Sequence, residues 1–167
     1  MNLRLILTRH AKSDWDNPLN TDHQRPLNKR GQRAAPLIGR WLAEKGHIPQ
    51  EALVSDATRT RETWALLGAE LPETPPVHFE PALYHASPDV MLKVLRTAQA
   101  QCVIMIGHNP GIAAFADMLV RAHPNHSAFG RYPTCATLVA EFEETSWRDL
   151  RTGTGRAIDF IVPRELE

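Results

Sequence analysis

The stretch Leu3-Arg4-Leu5-Ile6-Leu7-Thr8-Arg9-His10 decides the fold class of this 167-residue chain. Residues 3–8 predict a β-strand that ends at Arg9 and His10. A second run, Cys102-Val103-Ile104-Met105-Ile106, is apolar at every position. Uninterrupted apolar strands are typical of sheets that are covered on both faces. We therefore expect a sheet buried between helices.

Strand and helix patterns alternate over residues 3–121, and two strand patterns follow. Further strands are predicted at 52–54, 77–79, 136–142 and 157–162. Helices are predicted around 34–46, after Asp56 through Leu67, from Ser87, and from Asn109-Pro110. This order predicts an α/β fold with a mostly parallel sheet, helices on both faces and an antiparallel edge from the late strands. Pro36 requires the first helix to start late or to bend.

Composition indicates one globular domain spanning residues 1–167. Lys plus Arg and Asp plus Glu number 19 each, a balance that favours neither nucleic acid nor a membrane surface. No window approaches 18 apolar residues, and the N-terminal segment turns polar too early for a signal peptide, so we expect a cytoplasmic protein. Cys102 and Cys135 are interpreted as reduced core residues.

Polar groups follow three predicted strands. The first strand ends in Arg9-His10, the second runs into Ser55-Asp56-Ala57-Thr58-Arg59, and the long apolar strand ends in Gly107-His108-Asn109-Pro110. Ligands of open α/β sheets bind beyond the carboxyl ends of the strands. If these strands are neighbours, two histidines and two arginines converge there. Convergent arginines beside a helix N-terminus predict an anion site.

A histidine in such a site can attack phosphorus through one ring nitrogen. It must be neutral to do so, and nearby arginine charge disfavours the imidazolium form. A carbonyl bonded to the other ring nitrogen would fix the tautomer. We therefore predict phosphoryl transfer through a phosphohistidine on His10, with Arg9, Arg59 and His108 stabilising the charge on the phosphoryl oxygens.

At this point the chain resembles a known family. Leu7-Thr8-Arg9-His10-Ala11-Lys12-Ser13 is similar to the Arg-His-Gly signature of the histidine phosphatase (phosphoglycerate mutase-like) superfamily. Arg25-Pro26-Leu27 with Arg30-Gly31 resembles its SixA-type phosphohistidine phosphatase branch. The segments Val54–Thr63 and Gly107–Gly111 resemble those that supply the second arginine and the second histidine.

The resemblance implies a three-layer α/β/α sandwich that uses no metal and no organic cofactor. It implies that His10 is the nucleophile, that Arg9, Arg59 and His108 bind the phosphoryl group, and that Arg25 is a further phosphate contact. We also assign Asn109 and His85 to substrate binding. The expected substrate is a phosphorylated protein or a small phosphorylated molecule, and no prediction of oligomeric state follows.

Two positions depart from the family pattern. Ala11 replaces the glycine after the histidine. Many members also have a carboxylic acid that protonates the leaving oxygen, whereas His85 occupies the matching place here. The proton donor is left open between Glu80, His85 and a loop aspartate such as Asp16 or Asp22. Because phosphohistidine has a labile P–N bond and can release neutral imidazole, this gap favours phosphohistidine or activated esters over sugar phosphates.

Three alternatives accompany this interpretation. A mutase would return the phosphoryl group to its substrate, although such members carry added segments for which 167 residues leave little room. A silent module would bind phosphate without turnover. A metal at the aspartates of loop 11–27 is disfavoured, because these are expected to be solvated or hydrogen-bonded to nearby arginines. A metal at His123 and His126 is disfavoured because they lack evident companions. Specificity is expected from loop 11–27, where Trp15 can line the pocket, and from residues 123–134.

Overall fold

A computed structural model describes residues 2–167. Its six strands are β1 (Leu3–Arg9), β2 (Glu51–Ser55), β3 (Val77–Glu80), β4 (Cys102–Gly107), β5 (Thr137–Phe142) and β6 (Arg156–Ile161). Its α-helices are α1 (Lys29–Lys45), α2 (Thr58–Gly68), α3 (Pro88–Leu95) and α4 (Gly111–Leu119). Short 3-10 turns follow at 81–83, 147–149 and 163–166.

The strands form one sheet in the order β3-β2-β4-β1-β5-β6. The first four strands in this order pair in parallel, whereas β5 pairs antiparallel with both β1 and β6. The predicted mostly parallel sheet with a late antiparallel pair is therefore confirmed. The strands β2, β4 and β1 are also neighbours, which was the condition for the predicted convergence of their carboxyl ends.

Each face of the sheet has its own apolar core. Ile6 of β1 faces the layer formed by α1 and α2, and Leu5, its neighbour, faces the layer formed by α3 and α4. Both side chains are fully buried. Successive strand residues point to opposite faces, so an unbroken apolar strand needs a helical layer on each side. The fold is the expected three-layer α/β/α sandwich.

Side-chain caps explain where the helices α1 and α3 begin. The Asn28 side chain accepts a hydrogen bond from the Gly31 amide, and α1 begins at Lys29 with Pro36 inside it. Of the two alternatives that Pro36 left for this helix, the late start is wrong, since the cap at Asn28 fixes the start seven residues before the proline. At α3 the prediction is confirmed, because Ser87 caps the Val90 amide.

Both cysteines are free thiols; Cys135 is buried in the core, as expected, whereas Cys102 is only partly buried against it. Burial raises the pKa of the Cys135 thiol to about 12. Across residues 2–167, no helix combines the length and the apolarity that a membrane span would need.

Candidate active site

Backbone hydrogen bonds fix His10 at the carboxyl edge of the sheet. Arg9 pairs with Gly107 in the β1–β4 register, and the His10 amide donates to the Gly107 carbonyl at 3.1 Å. From the other side, the Cys135 amide donates to the carbonyls of Arg9 (3.1 Å) and His10 (3.0 Å). The position of His10 therefore depends on β1, β4 and the segment that leads into β5.

The predicted site residues meet around one cavity of about 370 Å³. All seven predicted residues line it. They are Arg9, His10, Arg25, Arg59, His85, His108 and Asn109. Trp15 lines it too, as expected of loop 11–27, together with residues that the sequence did not point to as phosphate contacts. These are Lys12, Ser13, Asp22 and Thr134.

His10 is held as a neutral imidazole with a defined tautomer. Its Nδ1–H donates to the Ala11 carbonyl at 2.7 Å, so Nε2 keeps its lone pair. The side chain is 6% exposed. Burial above all, with the charges of Arg9, Arg59 and Arg25, lowers the pKa of His10 to about 3, although the Ala11 carbonyl opposes this shift. An unprotonated Nε2 at neutral pH is the form that a nucleophile requires.

His108 lies beside it, with the two ring centroids 5.2 Å apart. Its Nε2 is 2.7 Å from the Ser55 hydroxyl at the end of β2, a contact that ties the ends of β4 and β2 together. Burial, followed by its neighbours His10 and Arg59, lowers the pKa of His108 to about 2. His108 is therefore also neutral, and it can donate one N–H hydrogen bond without adding a charge.

Three buried nitrogen atoms at this edge have no hydrogen-bond partner within residues 2–167. They are Nε of Arg9, Nε of Arg59 and Nδ1 of His108. Buried polar atoms are nearly always satisfied in folded proteins, so a cluster of unsatisfied ones calls for an explanation. Burial lowers the pKa of Arg9, and the nearby charge of Arg59 lowers it further. An anion bound between them would satisfy both the donors and the charge.

The carboxylate of Asp22, in loop 11–27, accepts hydrogen bonds from two arginines of the cavity. Arg25 Nη2 donates to it at 2.8 Å and Arg59 Nη2 at 3.2 Å, and the Tyr84 hydroxyl donates to it as well. His85 Nε2 lies 3.0 Å from the same carboxylate. Burial raises the pKa of Asp22, but these hydrogen bonds and the Arg59 charge outweigh it and hold the pKa well below its ordinary value. Asp22 is therefore a carboxylate at neutral pH.

The four candidates for the proton donor differ in whether they line the cavity. Within the described residues, Glu80 and Asp16 do not line the cavity, whereas Asp22 and His85 do. Asp22 is ionised and has no proton to give. His85 is half-exposed and adopts a left-handed backbone with φ of 51°, a conformation that costs free energy for a residue with a Cβ. Such strain is typical of functional segments.

Arg25 and Asn109 contribute in different ways. The guanidinium of Arg25 stacks on the Trp15 ring at 3.3 Å and donates to the Ser13 hydroxyl at 3.1 Å, so its charge is fixed at the cavity wall. The side-chain amide of Asn109 instead donates to the carbonyls of Arg131 and Tyr132, at 2.9 and 3.2 Å. Asn109 therefore holds the 131–132 segment against the end of β4.

The substitution of alanine for the family glycine is accommodated away from the cavity. The Ala11 side chain is fully buried in the core beneath α1 and α2, and its amide donates to the Thr63 hydroxyl at 2.9 Å. A glycine is required at position 111, because a Cβ there would lie 1.9 Å from the carbonyl oxygen of Ala86. Glycine at 111 lets the segment that carries His85 lie against the start of α4.

The sequence missed the role of Tyr84 and underestimated that of Asp22. Their contacts join loop 11–27 to the turn after β3, a separation of 62 residues that no local pattern marks. A signal existed at Asp22, which stands three residues before Arg25 in a loop already considered functional. In residues 2–167, no cluster of three or more His, Cys, Asp or Glu side chains is arranged to hold a metal ion.

The fold and this cavity define an α/β/α protein with an anion pocket built around two neutral histidines. The sequence profile of the histidine phosphatase superfamily (branch 1) matches residues 5–86. A Mycobacterium leprae protein of uncharacterised function is 32% identical over 165 residues, which cover 93% of this chain and 99% of that protein. The chain belongs to the histidine phosphatase superfamily.

Solved structures agree with this assignment. A candidate SixA phosphohistidine phosphatase from Nakamurella multipartitia is 29% identical, with a TM-score of 0.80 over 98% of this chain and 97% of that one. The protein histidine phosphatase SixA complexed with tungstate shares the fold at 19% identity, with a TM-score of 0.77 over 99% of this chain and 100% of that one. The family and the fold are those of a SixA-type phosphatase.

Proposed function

We propose that this protein is a phosphatase that hydrolyses phosphohistidine through a covalent phosphoryl group on His10. The observation that carries the proposal is the hydrogen bond from Nδ1 of His10 to the Ala11 carbonyl, which leaves Nε2 unprotonated beside three unsatisfied buried nitrogens. A nucleophile and a set of donors for the phosphoryl oxygens are thereby preorganised in one cavity.

The reaction has two displacements. In the first, the Nε2 lone pair of His10 attacks phosphorus and the P–N bond of the substrate breaks. The second ring nitrogen of the substrate histidine first takes a proton from solvent, and the bonding electron pair then leaves with the ring as neutral imidazole. In the second, water attacks phosphorus, the bond to Nε2 breaks, and the water proton passes to the released phosphate or to solvent. Arg9, Arg59 and His108 stabilise the phosphoryl oxygens in both steps.

The state of the carboxylate at the cavity supports phosphohistidine as the substrate. An alkoxide leaving group needs a proton from a positioned acid. Asp22 is the carboxyl that lines the cavity, and its pKa is held below the ordinary value by its hydrogen bonds and by Arg59 in spite of its partial burial. A substrate whose leaving group departs neutral avoids this requirement, and phosphohistidine is such a substrate.

The cavity mouth supports a protein as the carrier of that phosphohistidine. The side chain of Trp15 lines the cavity and is 74% exposed, and Leu19 on the same loop is 89% exposed. Exposed apolar side chains beside a binding cavity are typical of surfaces that contact another protein. A macromolecular substrate would cover both residues when its phosphohistidine enters.

A quenched-turnover experiment tests the proposal. The protein is mixed with a phosphohistidine peptide and separately with a chromogenic phosphoester, stopped in alkali, and examined for alkali-stable, acid-labile protein phosphate. We expect such phosphate in the wild type, none in His10→Ala, and faster turnover of the peptide than of the ester. Faster hydrolysis of the ester would overturn the substrate assignment.

The same experiment separates the alternatives. When an acceptor alcohol is added to that mixture, a mutase would pass the phosphoryl group to the alcohol rather than to water. A silent binding module would retain phosphate binding, measured by calorimetry, without forming any phosphoenzyme. Either result would contradict the proposed hydrolase.

A further inference from the structure

A second and larger cavity adjoins the catalytic one. Its volume is about 600 Å³, and Lys12 and Thr134 line both cavities. Its walls come from four separate parts of the chain: the segment after β1, the first turns of α1, residues 126–134 and residues 162–167. Because the two cavities share these lining residues, a protein whose phosphohistidine enters the catalytic cavity would place neighbouring side chains near the second one.

The walls of the second cavity are rich in cations. Lys12, Arg30, Arg131 and Arg164 line it, and all four side chains belong to exposed residues. In the part of the chain that the structure describes, no carboxylate oxygen lies within 4.0 Å of any of them. The chain as a whole has no net charge, so this concentration of positive charge is a local feature.

Two glutamates also line the cavity, and one of them is already engaged. Glu165 accepts a hydrogen bond from the Val162 amide at 3.0 Å and lies 3.0 Å from His126 Nε2. Burial raises the pKa of Glu165, but these contacts lower it by more, so Glu165 is ionised at neutral pH. With Glu167 included, four basic side chains face two acidic ones, and the cavity carries a positive excess.

We propose that this cavity is a second anion site, which receives an acidic side chain of the phosphorylated protein while its phosphohistidine occupies the catalytic cavity. The proposal rests on the proposed function and specifies its substrate as a phosphohistidine with acidic neighbours. Cations around a cleft attract ligands of opposite charge and select among them. Arginine is suited to this task because its planar group binds a carboxylate through two donors.

The character of the walls favours a protein surface over a small molecule. Sites for small ligands are mostly apolar, with a few polar groups that enclose the ligand. Half of the residues that line this cavity are exposed, and most of these are charged. Long cations at a surface are adapted to carboxylates that a partner protein presents, and Arg131 lies beside Asn109, which links it to the catalytic edge.

A pair of peptides tests the second site. Both carry one phosphohistidine, and one has Asp and Glu at the flanking positions where the other has Asn and Gln. We expect kcat/KM of the wild type to be about tenfold higher for the acidic peptide, through a lower KM, and this ratio to shrink as salt is added. In the double variant Arg131→Gln, Arg164→Gln we expect the ratio to fall to near one with kcat unchanged.

Arg148→Gln is the matched control, because Arg148 is exposed and lies after β5, at the opposite edge of the sheet from His10. In this variant, the ratio of kcat/KM between the acidic peptide and the Asn/Gln peptide should equal that of the wild type. Equal kcat/KM for both peptides in the wild type would overturn the second site, and so would an equal loss for both peptides in the double variant. Selective hydrolysis of a small bisphosphate without discrimination between peptides would assign the cavity to another class of ligand and would also overturn the proposal.

A binding measurement distinguishes failure of the second site from failure of the proposed function. Peptides that carry a non-hydrolysable phosphoryl-triazole in place of phosphohistidine report affinity without turnover. If the wild type prefers the acidic analogue about tenfold but forms no phosphoenzyme, the second site stands and the catalytic proposal fails. If phosphoenzyme forms and the two analogues bind equally, the catalytic proposal stands and the second site fails.

Discussion

The floor and the wall of the catalytic cavity are built in opposite ways. The floor consists of His10, Arg59 and His108, which are 6%, 2% and 3% exposed. The two histidines come directly after strands, and Arg59 lies in the first turn of α2. The wall consists of Asp22 and His85, whose side chains are 40% and 50% exposed and which belong to loops. Backbone pairing of the sheet fixes the two histidines of the floor, and a helix start fixes Arg59, whereas contacts between side chains fix the wall.

This difference assigns the two regions different tasks. Burial keeps both floor histidines neutral, with pKa values lowered to about 3 and about 2, so the floor performs the chemistry in a site with little water. The wall carries the carboxylate that neutralises part of the arginine charge. We therefore expect substitutions in the floor to reduce catalysis strongly and those in the wall to adjust phosphate binding.

Replacement of the nucleophile should have the largest effect. His10→Ala is expected to abolish phosphoenzyme formation and turnover, because no other group in the cavity combines a free ring nitrogen with the carbonyl contact that orients it. His78→Ala is the control, since His78 is exposed on β3 away from the cavity. Residual turnover of His10→Ala above about one part in 10³ of the wild type would mean that the floor works without His10.

Removal of a floor arginine should have the next largest effect. Arg59→Ala is expected to lower kcat by about 10²–10³, by analogy with the loss of one oxyanion donor. Arg59→Lys should recover only part of this loss, because a two-pronged contact is gone. Arg61→Ala, which alters an exposed arginine that binds the Asp56 carbonyl, should retain activity. A loss of less than fivefold in Arg59→Ala would remove Arg59 from the phosphate site.

The lowered pKa values of His10 and His108 also predict how the stability of the protein depends on pH. Their folded pKa values lie below the ordinary value of 6.5, so the unfolded chain binds more protons, and stability falls as pH drops from about 6.5 toward 3. Each histidine is expected to lower the free energy of unfolding by about 2 kcal/mol at pH 5. Thermal unfolding at pH 7.5 and pH 5 measures this loss, which His108→Asn should reduce. An equal loss in wild type and variant would contradict a neutral, buried His108.

A wall substitution should have the smallest effect. Asp22→Asn removes a charge that contacts Arg25 and Arg59, so inorganic phosphate should inhibit about fivefold more tightly. Asp14→Asn is the control, because the Asp14 carboxylate contacts the Asp16 amide in the same loop. An unchanged or weaker inhibition by phosphate in Asp22→Asn would show that Asp22 does not compete with phosphate for these arginines.

The same contrast explains how much could be predicted from the sequence. Arg9-His10 and Gly107-His108 follow apolar strands, and adjacent parallel strands end at a common edge, so the floor could be derived from local pattern and topology. The apolar pattern placed α1 from about residue 34, whereas the helix begins at Lys29, because its first turn is set by the Asn28 cap and not by apolar periodicity. The contacts of Asp22 with Tyr84 and His85 join segments more than 60 residues apart, and no local periodicity encodes such contacts.

The position of the phosphoryl group on the His10 ring tests the central claim most directly. Because Nδ1 donates to the Ala11 carbonyl, only Nε2 is free to attack phosphorus. Phosphorus NMR of the alkali-quenched phosphoenzyme, with peptide mapping by mass spectrometry, distinguishes the two ring positions. We predict a single phosphohistidine at His10, substituted on Nε2. Phosphate on Nδ1 of His10, on His108, or on no histidine at all would contradict the account.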